Sequence, residues 1–445
     1  MITNENGLKY AYLIFVSQDN HNKYYEMQES NDGYIDILYG RVDSTKIVAP
    51  RKPINQWNSI YNSKVKKGYT DVTNLRAVET VSTTDTKVSK YKDISDPKIL
   101  TLIKDLQNYA GESVKKNYKV ESSKVTQKMI DEAQNILNTI SPLIKINNDY
   151  NTINKYLIEL FKVIPRKMSK VQYYLLDKEL KDNNSLDIAK KRISEEQDIL
   201  DSLAGKVLQN ITADPTLQSK LTPDNITILD QMGIIIEPAT IDEYNIVKRY
   251  MIDQNGIINR GKELFELYRV NNINTQKAFD YYINSVKNKK IKLMFHGSRN
   301  QNWIYILPKG LLIRPSGAII TGAMLGNAIY GAEASEKTDL GNICRGYAKS
   351  FGYTSGKGSH WANGSDIYSY MAIMEFHVGE QMHLYTHDSS CYNLHDKFAQ
   401  SNFKYDSIYM HGTNDGGKYG GLINSEFTIY KPQQCTIKYL MKLKA

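Results

Sequence analysis

Hydrophobic and polar residues alternate in three short segments near the start of the chain. These segments read "LKYAYLIFV", "NKYYEMQES" and "YIDILYGRV", and Asn-, Asp- and Gly-containing turns separate them. Period-two alternation bounded by turn residues is typical of half-buried strands. Ile54, Trp57, Ile60 and Tyr61 then follow at helical spacing. We therefore expect a small β-rich domain, followed by a Ser-, Thr- and Lys-rich linker that ends near residue 95.

The pattern changes to a helical period between residues 96 and 225. In "VTQKMIDEAQNILNTISP" the apolar residues form one stripe that ends before Pro142, which cannot continue a helix without losing a hydrogen bond. "INKYLIELFKVIPRK" repeats the pattern up to Pro165, and "SLDIAKKRISEEQDILDSLAGKVL" supplies a third long helix. The region predicts a helical bundle, and it offers no candidate for chemistry.

From about residue 226 strand-like segments return, and the chemically versatile residues concentrate here. The predicted strands lie in "IKLMFH", "DIYSYMAIMEFHVG", "YDSIYMHG", "EFTIY" and "CTIKYLMKLK". Seven of the eight histidines and all three cysteines lie beyond this point. Any active site is therefore expected in this part of the chain.

Composition limits the class of protein. Three cysteines cannot form a disulfide scaffold or Cys-rich zinc fingers, and they favour a reducing compartment. The early apolar run "YAYLIFV" is too short for a signal core, and no stretch approaches the roughly 20 apolar residues of a membrane helix. We expect an intracellular soluble protein with no membrane partner.

Positive charge is concentrated in one segment. Residues 41–92 hold eleven lysines and arginines against four acids, which is most of the net charge of +9. Such a surface favours a polyanion partner, because phosphate contacts release counterions. The alternative is a basic face that is merely solvated.

Three motifs in this part of the chain are candidates for a metal, nucleotide-binding or catalytic site. His383, His387, Cys391 and His395 recur every four residues, the spacing of zinc ligands on a helix. However, the Asp-Ser-Ser within them favours a loop with coincidental spacing, so no metal is expected. The glycines of "RPSGAIITGAMLGNAIYGAEASEKT" contain no dinucleotide or P-loop fingerprint. Glu426, just inside a late strand, could equally face solvent.

Taken together, three segments resemble the catalytic domain of poly(ADP-ribose) polymerases. These are "LMFHGSRNQNWIYILPKGLLIRP", "ITGAMLGNAIYGAEASEKT" and "NSEFTIYKPQQCTIKYLMKLK". They keep the family's order of a His-Gly-Ser strand end, an Ile-Tyr with a following Lys-Thr, and a late Glu before an aromatic residue. The resemblance implies an ADP-ribosyltransferase domain of mixed α/β structure with antiparallel-rich sheets.

The resemblance extends to the other two regions. "NKYYEMQESNDGYIDILYGRV" is similar to the WGR domain of the DNA-dependent members, and the helical stretch is similar to their regulatory helical domain. The implied fold is α+β and multidomain: a WGR-like DNA-binding domain with linker at 1–95, a helical regulatory domain at 96–225 and a catalytic domain at 226–445. The implied DNA-binding residues are Tyr39, Arg41, Lys46, Arg51, Lys52, Lys64, Lys66 and Lys67.

The family reaction moves ADP-ribose from NAD, which is a substrate, to an acceptor and releases nicotinamide. By resemblance, His296 binds the adenine-side ribose, and Gly297 pairs its backbone with the nicotinamide carboxamide. A side chain at that glycine would obstruct the approach of a flat ring. Glu426 would bind the nicotinamide-side ribose and polarise an acceptor hydroxyl. Tyr330 and Lys337 complete the implied catalytic set, and the other implied NAD-binding residues are Ser298, Asn302, Arg314, Thr338 and Tyr347.

Two departures from the family pattern affect these assignments. The second tyrosine that sandwiches nicotinamide would fall near Gly341, so either Tyr347 takes that role or the stack is one-sided. Tyr39 replaces the signature tryptophan of the WGR domain, although a tyrosine can still stack on a nucleotide.

The resemblance implies poly(ADP-ribose) synthesis on protein acceptors, with the chain itself as one candidate acceptor, activated by DNA ends or nicks. The nucleus, or wherever the host DNA resides, is the expected location. The alternatives are a mono(ADP-ribosyl) transferase and a DNA-end-binding scaffold with an inactive transferase domain.

Overall fold

The computed structural model describes residues 7–42, 44–76, 92–117, 125–144, 147–210, 226–251, 263–313, 324–333, 347, 349–357 and 366–444. These residues form two compact units. Unit 1 contains the described residues between 7 and 76 and between 111 and 210. Unit 2 contains the described residues between 92 and 110 and between 226 and 444. The linker predicted before residue 95 lies largely outside the described residues. The predicted domain boundaries stay predictions.

Unit 1 contains a six-stranded antiparallel sheet built from the predicted alternating segments. The strand order is β4-β3-β2-β1-β6, with β5 paired to β3. Its core includes Leu13, Met27 and Ile37, together with Trp57 at the start of the first helix. The elements are β1 (Tyr10–Ser17), β2 (His21–Glu29), β3 (Tyr34–Arg41), β4 (Ile47–Val48), β5 (Lys52–Pro53), α1 (Trp57–Lys66), β6 (Thr70–Asp71) and α2 (Thr73–Arg76).

The described parts of residues 96–225, which the sequence predicts to be helical, contain four long helices. The Thr126 side chain caps the second of these helices and Asp149 caps the third, each by accepting a backbone N–H of the first turn. The second helix ends before Pro142, and the third ends before Pro165, as the sequence predicts. The helices are α3 (Pro97–Asn117), which divides between the two units after Ala110, α4 (Gln127–Ile140), α5 (Tyr150–Val163) and α6 (Asn183–Asn210). Among the described helices, none is long and apolar enough to cross a membrane.

Unit 2 is built on a nine-stranded sheet in the order β12-β13-β14-β10-β9-β11-β15-β8-β7. All neighbours are antiparallel except β12 and β13, which run parallel. Its strands are β7 (Ile234–Pro238), β8 (Glu263–Asn272), β9 (Ile291–Gly297), β10 (Ile329–Glu333), β11 (Tyr368–His377), β12 (Gln381–Leu384), β13 (Ser407–Met410), β14 (Glu426–Ile429) and β15 (Cys435–Lys444). The five predicted strand segments of this region are confirmed.

Helices cover this sheet and close its core. A capping box between Thr240 and Glu243 starts one helix, and Asn272 accepts two backbone N–H groups at the start of another. The first part of α3, up to Ala110, packs into this core through Ile99, Leu102 and Leu106. The remaining helices are α7 (Ile228–Met232), α8 (Ile241–Arg249), α9 (Ile273–Ser285), α10 (Trp303–Lys309) and α11 (Leu394–Phe398).

Candidate active site

Three neighbouring strands bring the predicted histidine, tyrosine and glutamate to one part of the sheet. His296 is near the end of β9, Tyr330 lies on β10, and Glu426 is the first residue of β14. Strand β10 pairs with both neighbours, since Ala332 faces Phe295 and Tyr330 faces Thr428. Residues more than a hundred positions apart therefore share one site because their strands are adjacent.

The His296 ring has a defined tautomer. Its Nδ1 lies 2.9 Å from the backbone oxygen of Tyr330. Since a carbonyl oxygen can only accept, Nδ1 carries the proton and Nε2 keeps a lone pair. Burial lowers the pKa of His296, and the hydrogen bond to Tyr330 only partly opposes this. The ring is therefore neutral at pH 7, with Nε2 able to accept a hydrogen bond from a hydroxyl.

The Tyr330 side chain is held by its hydroxyl. The hydroxyl donates to the backbone oxygen of Gly326 at 2.8 Å and accepts from the backbone N–H of Leu325 at 2.9 Å. Burial raises the pKa of Tyr330 well above its ordinary value, and the nearby charge of Glu426 raises it further. The tyrosine is therefore protonated, and its ring is fixed beside the glutamate.

Glu426 is a buried carboxylate with one paired oxygen. The residue is only 4% exposed, so the solvent-facing alternative is wrong. Its Oε1 lies 3.2 Å from Nζ of Lys349. Its Oε2 is buried without a hydrogen-bond partner among the described residues. Burial raises the pKa of Glu426, while Lys349 opposes the rise. An unpaired buried oxygen in a native site calls for a partner, and a ligand hydroxyl would supply one.

Lys349 belongs to a short segment that the sequence analysis missed. Ser350, the next residue, donates its hydroxyl to the backbone oxygen of Phe295 at 3.0 Å. Tyr353 follows three positions later; burial raises its pKa, and the charge of Glu426 raises it further, so the two side chains are close. "KSFGY" therefore brings a lysine and a tyrosine to the glutamate.

A sequence signal for this segment was present. The family order of Lys, a hydroxyl residue and, three positions later, Tyr was assigned to Lys337 and Thr338, which leaves Gly341 where the tyrosine should be. Read from Lys349, the same order needs no exception. Lys337, Thr338 and Arg314 lie outside the described residues, so their assignments stay predictions.

Tyr347, the predicted second ring, lies in the hydrophobic core. It is fully buried, and its ring packs on Phe295 and Phe351 at centroid distances of 5.9 Å each. The structure thus encloses Tyr347 in a core of unit 2, whereas Tyr353 lies next to Glu426.

Packing against the protein backbone is a second reason why position 297 is a glycine, in addition to the ligand contact that the resemblance implies. A Cβ at this position would lie 1.8 Å from the backbone oxygen of Ser350. The glycine therefore lets the segment that carries Lys349 approach the end of β9. The approach of a ligand ring, which the resemblance implies, stays a prediction, whereas this contact with the protein backbone was not predicted.

Further polar atoms belong to residues 298–303, which follow strand β9. The Asn302 side chain donates to the hydroxyl of Ser298 at 3.2 Å, which brings these two predicted residues together. Asn302 Oδ1 and Trp303 Nε1 are buried without hydrogen-bond partners among the described residues. Trp303 stands edge-on to His296 with ring centroids 6.5 Å apart. These groups could bind a polar ligand.

The residues with zinc-like spacing do not converge. His383 Nδ1 lies 2.8 Å from His411 Nε2, and His387 Nε2 lies 2.8 Å from the backbone oxygen of Met324. Cys391 is buried in an apolar cluster, and His395 packs against Gly326. The part of the chain that the structure describes contains no group of three or more ligands able to hold a metal ion.

The predicted DNA-binding residues lie on unit 1 and differ in availability. The Arg41 guanidinium donates to Asn20 and to the backbone oxygens of Met168 and Ser169, at 2.9 to 3.1 Å. Arg51 pairs with Asp32 and Asp36, both at 2.7 Å. Four predicted lysines are exposed: Lys46, Lys52, Lys66 and Lys67.

Next to them, Lys64 and Tyr39 form part of an aromatic surface. Nζ of Lys64 lies 3.8 Å from the centroid of the Tyr25 ring. Tyr39 is 37% exposed and also contacts the Tyr25 ring, at a centroid distance of 6.0 Å. This surface therefore combines positive charge with an accessible ring.

Comparison with known proteins identifies the class of catalytic domain. Residues 241–445 match the poly(ADP-ribose) polymerase catalytic domain. The chain is 36% identical over 203 residues to "Uncharacterized protein 101L" of Invertebrate iridescent virus 6, covering 46% of this chain and 80% of that protein. It is 29% identical over 198 residues to "Putative poly [ADP-ribose] polymerase-like 100L" of the same virus, covering 44% and 92%.

A longer match extends beyond the catalytic region. The chain is 23% identical over 391 residues to "Poly [ADP-ribose] polymerase 1" of Caenorhabditis elegans, which is 78% of this chain. The match covers only 39% of the nematode protein.

Proposed function

The chain belongs to the poly(ADP-ribose) polymerase family through its catalytic domain at residues 241–445, and on this premise we propose that it is a DNA-activated polymerase. It transfers ADP-ribose from NAD to protein acceptors, elongates the product to poly(ADP-ribose) and releases nicotinamide. The observation that carries the proposal is the buried Glu426, whose Oε2 lacks a protein partner among the described residues, beside His296 and Tyr330.

One group of site residues binds NAD, and Glu426 stabilises the transition state. Nε2 of neutral His296 accepts a hydrogen bond from a ribose hydroxyl, and Asn302 offers a second buried acceptor. The rings of Tyr330 and Tyr353 hold the nicotinamide group, since both lie next to Glu426. Holding the donor in one geometry lowers the entropy cost of the reaction.

Glu426 acts on the bond that breaks. As the bond between nicotinamide and ribose lengthens, positive charge develops on the ribose, and the bonding electrons leave with nicotinamide. A carboxylate about 4 Å from that charge, at an effective dielectric constant near 20, contributes roughly 4 kcal/mol. This corresponds to about 10³ in rate. Lys349 favours the ionised carboxylate by opposing the effect of burial, and the attacking acceptor hydroxyl loses its proton toward Oε2.

Activation by DNA is supported by the basic surface of unit 1. The exposed lysines would bind phosphates, and Tyr39 would stack on a terminal base. Arg41, in contrast, binds backbone oxygens of residues 168 and 169 and would hold that segment rather than a phosphate. The nucleus, or the compartment that holds the host DNA, is the proposed location.

Nicotinamide release from NAD, measured with and without DNA ends, tests the proposal. We expect blunt or nicked DNA to raise turnover, and the stimulation to fade with salt. We also expect a ladder of products on a gel. Glu426→Gln should abolish the ladder and lower turnover by about 10³-fold. Glu380→Gln, at an exposed glutamate, is the matched control.

Each alternative predicts a different result. Equal turnover with and without DNA would overturn DNA activation. A single addition in place of a ladder would identify a mono(ADP-ribosyl) transferase. DNA binding without any NAD consumption would identify an inactive scaffold.

A further inference from the structure

Asp415 is the centre of a hydrogen-bonded cluster beside the active-site strand β14. One of its carboxylate oxygens, Oδ2, accepts from the hydroxyl of Tyr409, from the hydroxyl of Ser425 at 2.9 Å and from Nδ1 of His411 at 2.9 Å. Burial opposes ionisation of Asp415, but these hydrogen bonds hold its pKa below the ordinary value. The carboxylate is therefore charged at neutral pH and can keep all three donors.

The turn that carries Asp415 is bonded to the segment that precedes Glu426. The backbone N–H of Thr413 donates to Leu422 at 2.8 Å, and that of Gly412 donates to the hydroxyl of Ser425 at 3.1 Å. A Cβ on Gly412 would lie 2.4 Å from the backbone oxygen of Ile423, so the two segments are in close contact. The turn therefore fixes the position at which β14 begins.

The His411 ring is held on both faces. The rings of Tyr385 and Tyr409 stack on it with centroid distances of 4.1 Å each. Because Nδ1 donates to the Asp415 carboxylate, Nε2 is left to pair with His383 Nδ1 at 2.8 Å. Stacking on both faces and hydrogen bonds at both ring nitrogens therefore hold His411 beside Asp415.

Ser425 links this cluster to the catalytic carboxylate. Its hydroxyl donates to Asp415 and accepts from Gly412, and the next residue in the chain is Glu426. Within β14 the Glu426 backbone faces Met410, the residue before His411. Residues of the cluster therefore lie next to Glu426 both in the chain, at Ser425, and at the end of the neighbouring strand, where His411 follows Met410.

We propose that Asp415 and Ser425 are positioning residues that hold Glu426 in its catalytic geometry, a role that rests on the proposed ADP-ribosyl transfer. Asp415 acts through the Ser425 hydroxyl. This contact sets the direction from which the Glu426 side chain enters the site beside Lys349. A displacement of about 1 Å in such a group can cost roughly 10²-fold in rate.

The test compares Ser425→Ala, Asp415→Asn and the double variant. Each single change should lower kcat about tenfold to hundredfold while the KM for NAD stays within about twofold. Because the two residues act as one unit, the double variant should lose no more than the stronger single variant. Ser425→Thr keeps a hydroxyl and should restore most of kcat. Thr413→Ala, on the exposed side of the same turn, is the control.

Two results would overturn the proposal: a normal kcat in Ser425→Ala, or losses that add up in the double variant. A second measurement does not depend on turnover. Carboxyl ¹³C NMR, with the Glu426 signal assigned by its absence in Glu426→Gln, should give a higher pKa for Glu426 in Ser425→Ala, since the carboxylate moves away from Lys349. An unchanged pKa counts against positioning. Absence of NAD turnover in the wild type would instead overturn the proposed function.

Discussion

Nζ of Lys349 lies 3.2 Å from Oε1 of Glu426, inside a site where the carboxylate is almost completely buried. A buried carboxylate resists ionisation, because the charged form loses its hydration. The ammonium group of Lys349 therefore opposes the rise in the pKa of Glu426 and favours its charged form. This ion pair also leaves Oε2 without a partner among the described residues and hence open to a substrate hydroxyl.

Replacing Lys349 by Met should move the acid limb of the pH–activity profile to higher pH. Burial already raises the pKa of Glu426, and Lys349 opposes that rise, so loss of the ammonium group raises the pKa further. Since the ionised form is the active one, activity falls as pH drops through this pKa. The pH dependence of kcat/KM measures the shift. Lys349→Arg keeps the charge and should retain the wild-type limb; an unmoved limb in Lys349→Met would remove the lysine from this role.

Much of the fold follows from the sequence, because alternation and helical spacing are local properties. The strand that carries His296 and the helix ends before Pro142 and Pro165 are in the predicted places. Side-chain partners are not local. The spacing of His383 suggested zinc, but its partner is His411, which the parallel pairing of β12 and β13 brings beside it.

Lys349 was not predicted as a site residue because a similar motif occurs earlier in the chain. The Lys-Thr pair at 337 and 338 also matches the start of the family motif and lies earlier in the chain, although Gly341 then stands where the motif has a tyrosine. The same motif read from Lys349 places Tyr353 where the tyrosine is expected, and the contact of Lys349 with Glu426 supports that reading. In contrast, no local feature of Gly297 indicates that the backbone of Ser350 lies against it.

Gly297→Ala should lower activity by displacing the segment of Lys349 and Ser350. The new Cβ would lie 1.8 Å from the Ser350 backbone oxygen, so this backbone has to move. Because Lys349 directly precedes Ser350, this movement disturbs the contact between Lys349 and Glu426. We expect about a 10²-fold loss of kcat/KM, measured by nicotinamide release. Gly420→Ala, where an added Cβ meets no atom within 4 Å, is the control. Full activity in Gly297→Ala would contradict the packing role.

Alanine substitutions at Tyr353 and Tyr347 should separate substrate binding from stability. Tyr353→Ala removes a ring next to Glu426 and should raise the KM for NAD with a smaller effect on unfolding. Tyr347→Ala empties a fully buried position between Phe295 and Phe351, so it should destabilise the protein by about 3–5 kcal/mol. NAD kinetics and urea denaturation provide the two measurements. The opposite outcome, with the KM for NAD raised only in Tyr347→Ala, would identify Tyr347 as the second tyrosine that stacks on nicotinamide.

Arg166→Met should destabilise unit 1, because it leaves Glu196 as an unpaired buried acid. The two side chains form an ion pair and are only 5% and 2% exposed. Burial raises the pKa of Glu196, and Arg166 opposes the rise, so without the arginine the acid takes up a proton. Removing one partner of such a pair typically costs about 3–5 kcal/mol, whereas replacing both by apolar residues is often nearly neutral. Urea denaturation should therefore show a large loss in Arg166→Met and a substantial recovery in Arg166→Met/Glu196→Leu. If the double variant is less stable than the single one, the isolated charge is not the cause, and the contact of Arg166 with the Tyr174 ring at 4.6 Å becomes the more important interaction.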